Sequence, residues 1–295
     1  MRRIVLALGL LLAAGPAFAA ERADTAPRIA VISAFPAELT ALEAATTGKH
    51  RRALDGVMFV TGTLEGRPVV LFLSGVSMVN AAMTTQLALD HFAIRRIVFS
   101  GVGGGVDPAL DVGDVVVPER WAEYLEMTFV RDGGAPPPRD PAAPPNYGMM
   151  YPAPVTIARA AGPPELRTWF PVDPVMLAAA RRADAGLELK RCAGAKCMDH
   201  APRMVVGGNG VSGQAFVDNA GFRQYAFTAF KAEVLDMETA AVAHVAYVNR
   251  TPFIAFRSLS DLAGGDPGPN PFRQFVGLAA DNSATAVRAF LRALR

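Results

Sequence analysis

Cysteine is nearly missing from this chain, with two residues, Cys192 and Cys197, among 295. A core-poor fold stapled by many disulfides is therefore excluded, and a chain of this length buries enough apolar surface to need no staples. Charge of one sign is also scarce. There are 29 Lys+Arg against 27 Asp+Glu, a formal net charge of +2. No strongly basic surface for nucleic acid is announced. The four histidines (His50, His91, His200 and His244) form no H-E-x-x-H, so the sequence points to no metal site. G-x-S-x-G is absent: Ser100 precedes glycines but follows Phe99, which removes the hydrolase elbow. Gly101-Val102-Gly103-Gly104-Gly105 lacks the third glycine of G-x-G-x-x-G, because position 106 is Val106. A strand beginning near Val112 also comes too soon for the phosphate-binding helix. No Gly-Lys-Ser/Thr loop occurs in place, and no cofactor is implied.

What the chain does have begins with its N-terminus. Arg2-Arg3 precede an apolar run from Ile4 to Ala14 broken only by Gly9, then Gly15-Pro16 and Ala17-Phe18-Ala19. This reads as a signal peptide over residues 1–19, cut after Ala19 or Ala20. The alternative, a membrane anchor, meets the objection that a span needs about 20 apolar residues. Removing Arg2 and Arg3 leaves 27 residues of each sign, so the basic excess belongs to the leader. Export to a bacterial periplasm or beyond is expected, with no membrane attachment after cleavage. In that oxidising setting Cys192 and Cys197 are expected to form a disulfide. The alternative is zinc, with Asp199 and His200 nearby, but two Cys and one His make a weak ligand kit.

Beyond the leader, apolar runs and helical patterns alternate. Arg28–Ala34 reads as the first strand, and Pro36 opens a helix. Val57–Leu64 and Pro68–Ser74 read as a hairpin joined at Glu65-Gly66-Arg67. Ser77–His91 has helical spacing, Arg96–Ser100 is a buried strand, and the glycines follow it as a loop. Val112–Pro118 is a further strand. Asp173 caps a helix to about Ala185 with Pro174 in its first turn. Arg203–Gly207 and Val234-Leu235 are strands; Asp218 is expected to cap a helix to about Phe227. Met237–Val248 is a helix, Phe253–Leu259 a strand, and residues 271–294 a closing helix. The alternation predicts an α/β fold, three layers α-β-α around a central mixed twisted sheet. Gly133–Pro154 holds eight prolines, which would suit a linker between domains. Tyr147, Met149, Met150, Tyr151 and Trp169 instead suggest a segment that packs down. The expected organisation is one domain over 20–295, with a Pro-rich insertion near 131–168 and a Cys loop at 192–197.

Ligands of open α/β sheets sit beyond the carboxyl ends of the strands. Glu38, the glycine run, Asp236/Glu238 and Asp261 all fall at such ends, so their carboxylates are expected to converge on one cleft. A carboxylate at a helix start is also an ordinary cap, which is the competing account for each one alone. Glycine admits close backbone approach to a flat or sugar ligand, the reading preferred for 101–105 and for Val205–Gly213.

Taken in order, Ile29–Leu39, Ser100–Gly105 with Gly113–Val116, Ser212–Val217, Asp236-Met237-Glu238 with Ala240/Ala241, and Arg257–Asp261 resemble the nucleoside phosphorylase and nucleosidase superfamily. The similarity is closer to the methylthioadenosine/S-adenosylhomocysteine nucleosidase branch and runs over about 28–294. The resemblance implies a nucleoside phosphorylase-like fold and hydrolysis of the N-glycosidic bond of purine nucleosides, adenosine-type or 5′-thio-substituted. It implies Asp261 as general acid at the purine N7, with Ser260 orienting it, and Glu38 as the group that holds water. Glu238 would bind the ribose hydroxyls, Met237 the sugar face, Phe216 and Val217 the base, and Gly103 would allow the backbone close. It also implies a homo-oligomer, with a dimer favoured.

A phosphorylase must bind a phosphate dianion beside the sugar, and the phosphorylases of the family that this chain resembles use arginine near the first-strand loop and the glycine run. Ala34–Glu38 and Gly101–Gly105 hold none, which favours water as the nucleophile. Gln214 and Gly264 replace acidic residues of the nucleosidase pattern, which opens the question of the 5′ substituent. Phosphorolysis and non-catalytic nucleoside binding are the alternatives to hydrolysis.

Overall fold

The computed structural model describes residues 23–138 and 140–295, so the expected signal peptide lies outside the described residues. The chain enters through β1 (Asp24–Ser33), buried from Ile29 onward. It turns at Phe35 into α1 (Pro36–Ala45), where Pro36 occupies the first turn and its missing N–H forfeits no helical bond. Three antiparallel strands follow, β2 (Thr47–Leu54), β3 (Val57–Leu64) and β4 (Arg67–Leu73). The β3–β4 turn puts Glu65 at φ 49° and Gly66 at φ 74°, as a two-residue hairpin loop requires. The strand β2, rich in Lys and Arg and exposed at every position before Leu54, was not foreseen, because it has no alternating apolar face to read.

α2 (Met78–His91) leads into β5 (Phe92–Gly105). Here the structure corrects the sequence reading, because the glycines are strand and not loop. Gly101–Gly104 pair with the late strand β18 described below, and Gly104-Gly105 pair with β17. A Cβ on Gly103 would lie 2.7 Å from Val234 Cγ2, and one on Gly105 2.9 Å from Leu259 Cδ1. Glycine is present because two neighbouring strands crowd this one.

Short strands come next: β6 (Val115–Val117), β7 (Arg120–Glu123), β8 (Met127–Phe129), β9 (Met150–Pro152), β10 (Val155–Ile157), β11 (Glu165–Arg167) and β12 (Phe170–Pro171). α3 (Pro174–Asp184) is capped by Asp173, whose side chain accepts from the Met176 N–H at 2.9 Å. β13 (Cys192–Ala193) and β14 (Lys196–Cys197) form a small hairpin closed by the Cys192–Cys197 disulfide. Then come β15 (Met204–Val206), β16 (Asn209–Ser212), α4 (Ala220–Phe230), β17 (Ala232–Asp236), α5 (Thr239–Val248), β18 (Phe253–Asp261) and α6 (Phe272–Ala293). The expected cap of α4 is also corrected. Asn219 and not Asp218 accepts from the Phe222 N–H, at 2.8 Å.

One 12-stranded mixed sheet runs β12-β7-β16-β17-β5-β1-β4-β3-β2, with β18, β6 and β15 joined alongside β5. β5 runs parallel to both β1 and β18. β18 is buried at every position, as a strand covered on both faces must be. α1, α3 and α6 pack together on one side, and α2 packs on α5 on the other. The carboxyl ends of β1, β5, β17 and β18 are thereby gathered on one rim.

Asp173→Ala is expected to lower stability by about 1 kcal/mol, the usual worth of an N-cap, with α3 otherwise intact. Urea denaturation of the two proteins checks this, and an unchanged midpoint would refute the cap.

Candidate active site

At that rim lies a cleft of about 350 Å³, within the range of small-molecule sites. All eight residues singled out for catalysis or substrate binding line it: Glu38, Gly103, Phe216, Val217, Met237, Glu238, Ser260 and Asp261. Phe35, Val76 and Phe272 add an apolar wall.

Glu38 sits in the first turn of α1 and is 1% exposed. Its Oε2 accepts from the Ala34 N–H at 2.6 Å and its Oε1 from the Val102 N–H at 2.8 Å. The competing cap reading is therefore partly right: the carboxylate does satisfy a donor at the helix entry. It also faces the cleft. Burial pushes its pKa upward, opposed by Arg257 and the backbone donors.

Glu238 immediately precedes α5, which starts at Thr239 rather than at Met237. Its Oε1 accepts from the Ser77 N–H at 2.8 Å. Ser77 holds φ 83° and ψ 156°, a region that side chains other than glycine's enter at a cost of about 1–3 kcal/mol. The strained residue aims its N–H at the carboxylate. Burial pushes Glu238 up to about 7, with Arg257 opposing and Asp236 adding.

Asp261 ends β18. Its Oδ1 accepts from the Ala263 N–H at 2.9 Å, and the Ser260 hydroxyl lies 2.9 Å from its Oδ2. Ser260 Oγ is also 3.3 Å from the Gly103 carbonyl oxygen, so one hydroxyl ties the acid to the glycine strand. Burial raises the pKa of Asp261, and Asp266 adds to the effect. A carboxyl raised in this way binds its proton more tightly, the direction that a general acid requires. Phe216 is 56% exposed, and its ring meets Phe272 edge-on at 5.5 Å. Its free face is open to a flat ligand.

The sequence reading missed the residue at the centre. Arg257 is fully buried. Its Nε lies 2.6 Å from Asp236 Oδ2 and 2.8 Å from Thr239 Oγ1. Nη2 lies 3.5 Å from Glu238 Oε2, and Nη1 3.7 Å from Glu38 Oε1. Nη1 also donates to the Val102 carbonyl at 3.1 Å, and the guanidinium lies 4.1 Å from the Phe99 ring centroid. Arg257 lies in the interior of β18, away from the two loops where a phosphate-binding arginine was expected. A charged residue inside an otherwise buried strand was the available signal. Asp236 was expected at the cleft beside Glu238 but was given no role of its own. It accepts from Ser212 Oγ and Thr239 Oγ1, and from the N–H groups of Glu238 at 3.2 Å and Thr239 at 3.1 Å.

His91 pairs with Asp55, and His244 with Glu123, stacked on Phe170; both lie away from the cleft. Among the described residues no group of three or more His, Cys, Asp or Glu is placed to hold a metal ion.

A cleft at the strand ends of a mixed α/β sheet, with four buried carboxyls and an aromatic wall, defines a class of small-molecule site suited to a polar sugar carrying a flat base. The sequence profile of the phosphorylase superfamily matches residues 28–292, and the chain belongs to that family. A 5′-methylthioadenosine/S-adenosylhomocysteine nucleosidase of Marinomonas sp. is 30% identical over 90% of this chain and 98% of its own. That of Mycobacterium bovis is 29% identical over 90% and 96%. The crystal structure of the Neisseria meningitidis enzyme with methylthio-immucillin-A superposes with a TM-score of 0.69 at 26% identity, covering 92% of this chain and 99% of that one. These relatives are bacterial, in keeping with the source expected from the sequence.

The folded Glu238 holds its proton up to about pH 7, whereas an unperturbed carboxyl releases it near 4.5. Its favourable contribution is full below 4.5 and is lost as pH rises through 7. Glu238→Gln, always uncharged, is expected to flatten this part of the pH–stability curve. Urea titrations across that window decide it; equal slopes for parent and variant would overturn the burial argument.

Proposed function

We propose that this protein hydrolyses the N-glycosidic bond of purine nucleosides, adenosine-type or 5′-thio-substituted, to free base and free sugar. The observation that carries the choice of water over phosphate is Arg257. Among the described residues no Lys or Arg lines the cleft, and Arg257, buried behind it, is already surrounded by Asp236, Glu238 and Glu38. A phosphate dianion would meet an excess of negative charge there. The relatives' activity supports the same reading.

In this reading Glu238 accepts hydrogen bonds from the ribose 2′- and 3′-hydroxyls, since two adjacent donors suit one carboxylate. Met237 packs under the sugar, Phe216 stacks on the base, and the backbone at Val217 reads its edge. Asp261 delivers its proton to N7 as the glycosidic bond breaks and electrons flow into the base. Ser260 fixes the rotamer of that acid. Glu38 holds the water that adds to the anomeric carbon and takes up the proton that the water loses. Gly103 lines the cleft with its backbone, while its missing side chain leaves room for Val234 of β17. The water-exposed Gln214 lies outside the cleft, on the α2/α5 side.

The test is base release from a nucleoside panel with and without phosphate, resolving ribose from ribose 1-phosphate. Phosphate-independent release is expected from the parent. Asp261→Asn is expected to lose about 10²–10⁴-fold in rate, the usual worth of a general acid, while its circular dichroism stays unchanged. Strict phosphate dependence, or full activity in Asp261→Asn, would sink the assignment.

Two further parts of the reading concern the protein's setting. Export is proposed from the leader-like pattern at residues 1–19, and the Cys192–Cys197 bond suits an oxidising compartment. We propose a dimer, supported by an apolar strip of exposed side chains, Val76 at the cleft wall, Val79 and Met83 on α2 and Val248 on α5. A second copy seated on this strip would cover it and close that end of the cleft. Met83→Arg is expected to halve the mass measured by light scattering; a parent that is already monomeric would refute the dimer.

A further inference from the structure

The Pro-rich segment at 131–168 contributes none of the residues that line the cleft. It reaches the cleft through α4. The Tyr147 ring lies 5.3 Å from that of Phe222, at 79°, and 5.0 Å from that of Tyr225. The Tyr225 hydroxyl donates to the Pro145 carbonyl at 2.9 Å. Tyr147 is itself fixed by reciprocal backbone bonds with Met150, at 2.9 and 3.0 Å. Beyond Met150 the β9 strand pairs with β8. The segment is thereby docked on the first turns of α4 by side chains and backbone together.

α4 joins the two sides of the base end of the cleft. Phe216-Val217 lie just before it. Its cap residue Asn219 donates its backbone N–H to the Ala263 carbonyl at 3.1 Å. The Ala263 N–H in turn donates to Asp261 Oδ1 at 2.9 Å. Gly264, at φ 89°, presses on the backbone of Asp218 and Asn219 so closely that a Cβ could not be added. On the other flank, Phe222 packs on Tyr124 at 5.4 Å. The Tyr124 ring fills the space over Gly213, and its hydroxyl donates to the Ala215 carbonyl at 3.4 Å. A displacement of α4 would therefore move the aromatic wall and the amide that orients Asp261.

This helix start needs support. Gly221 stands in its first turn, where glycine weakens a helix. Phe216 is over half exposed and is not anchored in the core. We infer that the Pro-rich segment braces the purine end of the cleft, with Tyr147 as a positioning residue whose ring holds α4, the Phe216-Val217 wall and the Asp261 loop in register. The inference rests on the purine-nucleoside reading above. It makes the segment part of base recognition, although the segment does not touch the base.

The experiment compares the parent protein with Tyr147→Ala, Tyr147→Phe and Leu166→Ala, the last an exposed residue of β11 in the same segment. Three quantities are measured: kcat and KM on a purine nucleoside, affinity for adenine, and amide exchange along the chain. Tyr147→Ala is expected to lose about tenfold or more in kcat/KM, the scale on which small misplacements act. It should also bind adenine more weakly and exchange faster at 215–223 and 262–265. Tyr147→Phe keeps the ring and is expected to match the parent, as is Leu166→Ala. The inference is overturned if Tyr147→Ala leaves kcat/KM and local exchange within about twofold of the parent, well short of that scale. It is equally overturned if exchange rises across the whole chain, or if Tyr147→Phe is as impaired as Tyr147→Ala. A parent that releases no base from any nucleoside would defeat the proposed function instead, and the exchange comparison would still judge the brace.

Discussion

A guanidinium with no exposure to water must have its charge met by the protein, and Arg257 meets Asp236, Glu238 and Glu38 at once. Removing one partner from such a buried cluster typically costs about 3–5 kcal/mol, because the remaining charges lose their compensation. The cluster therefore fixes more than electrostatics. It ties β18, which carries Arg257, to the end of β17 and to the first turn of α1. These are the elements that deliver Asp261, Glu238 and Glu38 to the cleft. Asp236 strengthens the tie by accepting from two hydroxyls and two backbone donors as well as from the arginine.

The backbone around this cluster is shaped to admit it. A Cβ on Gly101 would lie 2.7 Å from Glu38 Oε1 and would also strike the Arg257 guanidinium, so glycine at 101 is a condition for the pair. Gly103 and Gly105 answer to β17 and β18 on the same strand. Ser77 accepts an unfavourable backbone conformation and supplies Glu238 with its N–H. The rest of the fold supports local strain of about 1–3 kcal/mol because buried strands surround it.

Three carboxyls in one cleft are raised by the same cause, burial, yet they are not equivalent. Glu38 and Glu238 share Arg257, which favours their charged forms. Asp261 has no such cation among the groups that perturb it, only hydrogen-bond donors and the repelling Asp266. Separate environments for like groups are how one site holds both an acid and its counterparts. The division of labour proposed for Asp261 and Glu38 follows from where the arginine is, and where it is not.

Much of this was legible in the chain. Unbroken apolar runs such as Phe253–Leu259 must be strands covered on both faces, and the strand–helix alternation fixes the layers. Carboxylates at the ends of those strands must then meet at one rim, which is why Glu38, Glu238 and Asp261 could be named together. Local chemistry also marked Asp173 and Pro174 as a helix start, because capping depends only on near neighbours. What tertiary structure alone decided depends on contacts between residues distant in sequence. The glycines at 101–105 form a strand because β17 and β18 crowd them. Asn219 takes the cap from its neighbour Asp218 at the start of α4, whose backbone is bound to Ala263. Arg257 matters because three chain segments bring carboxylates to it. Periodicity along a sequence reports which face a residue turns inward, but it does not report the partner waiting there.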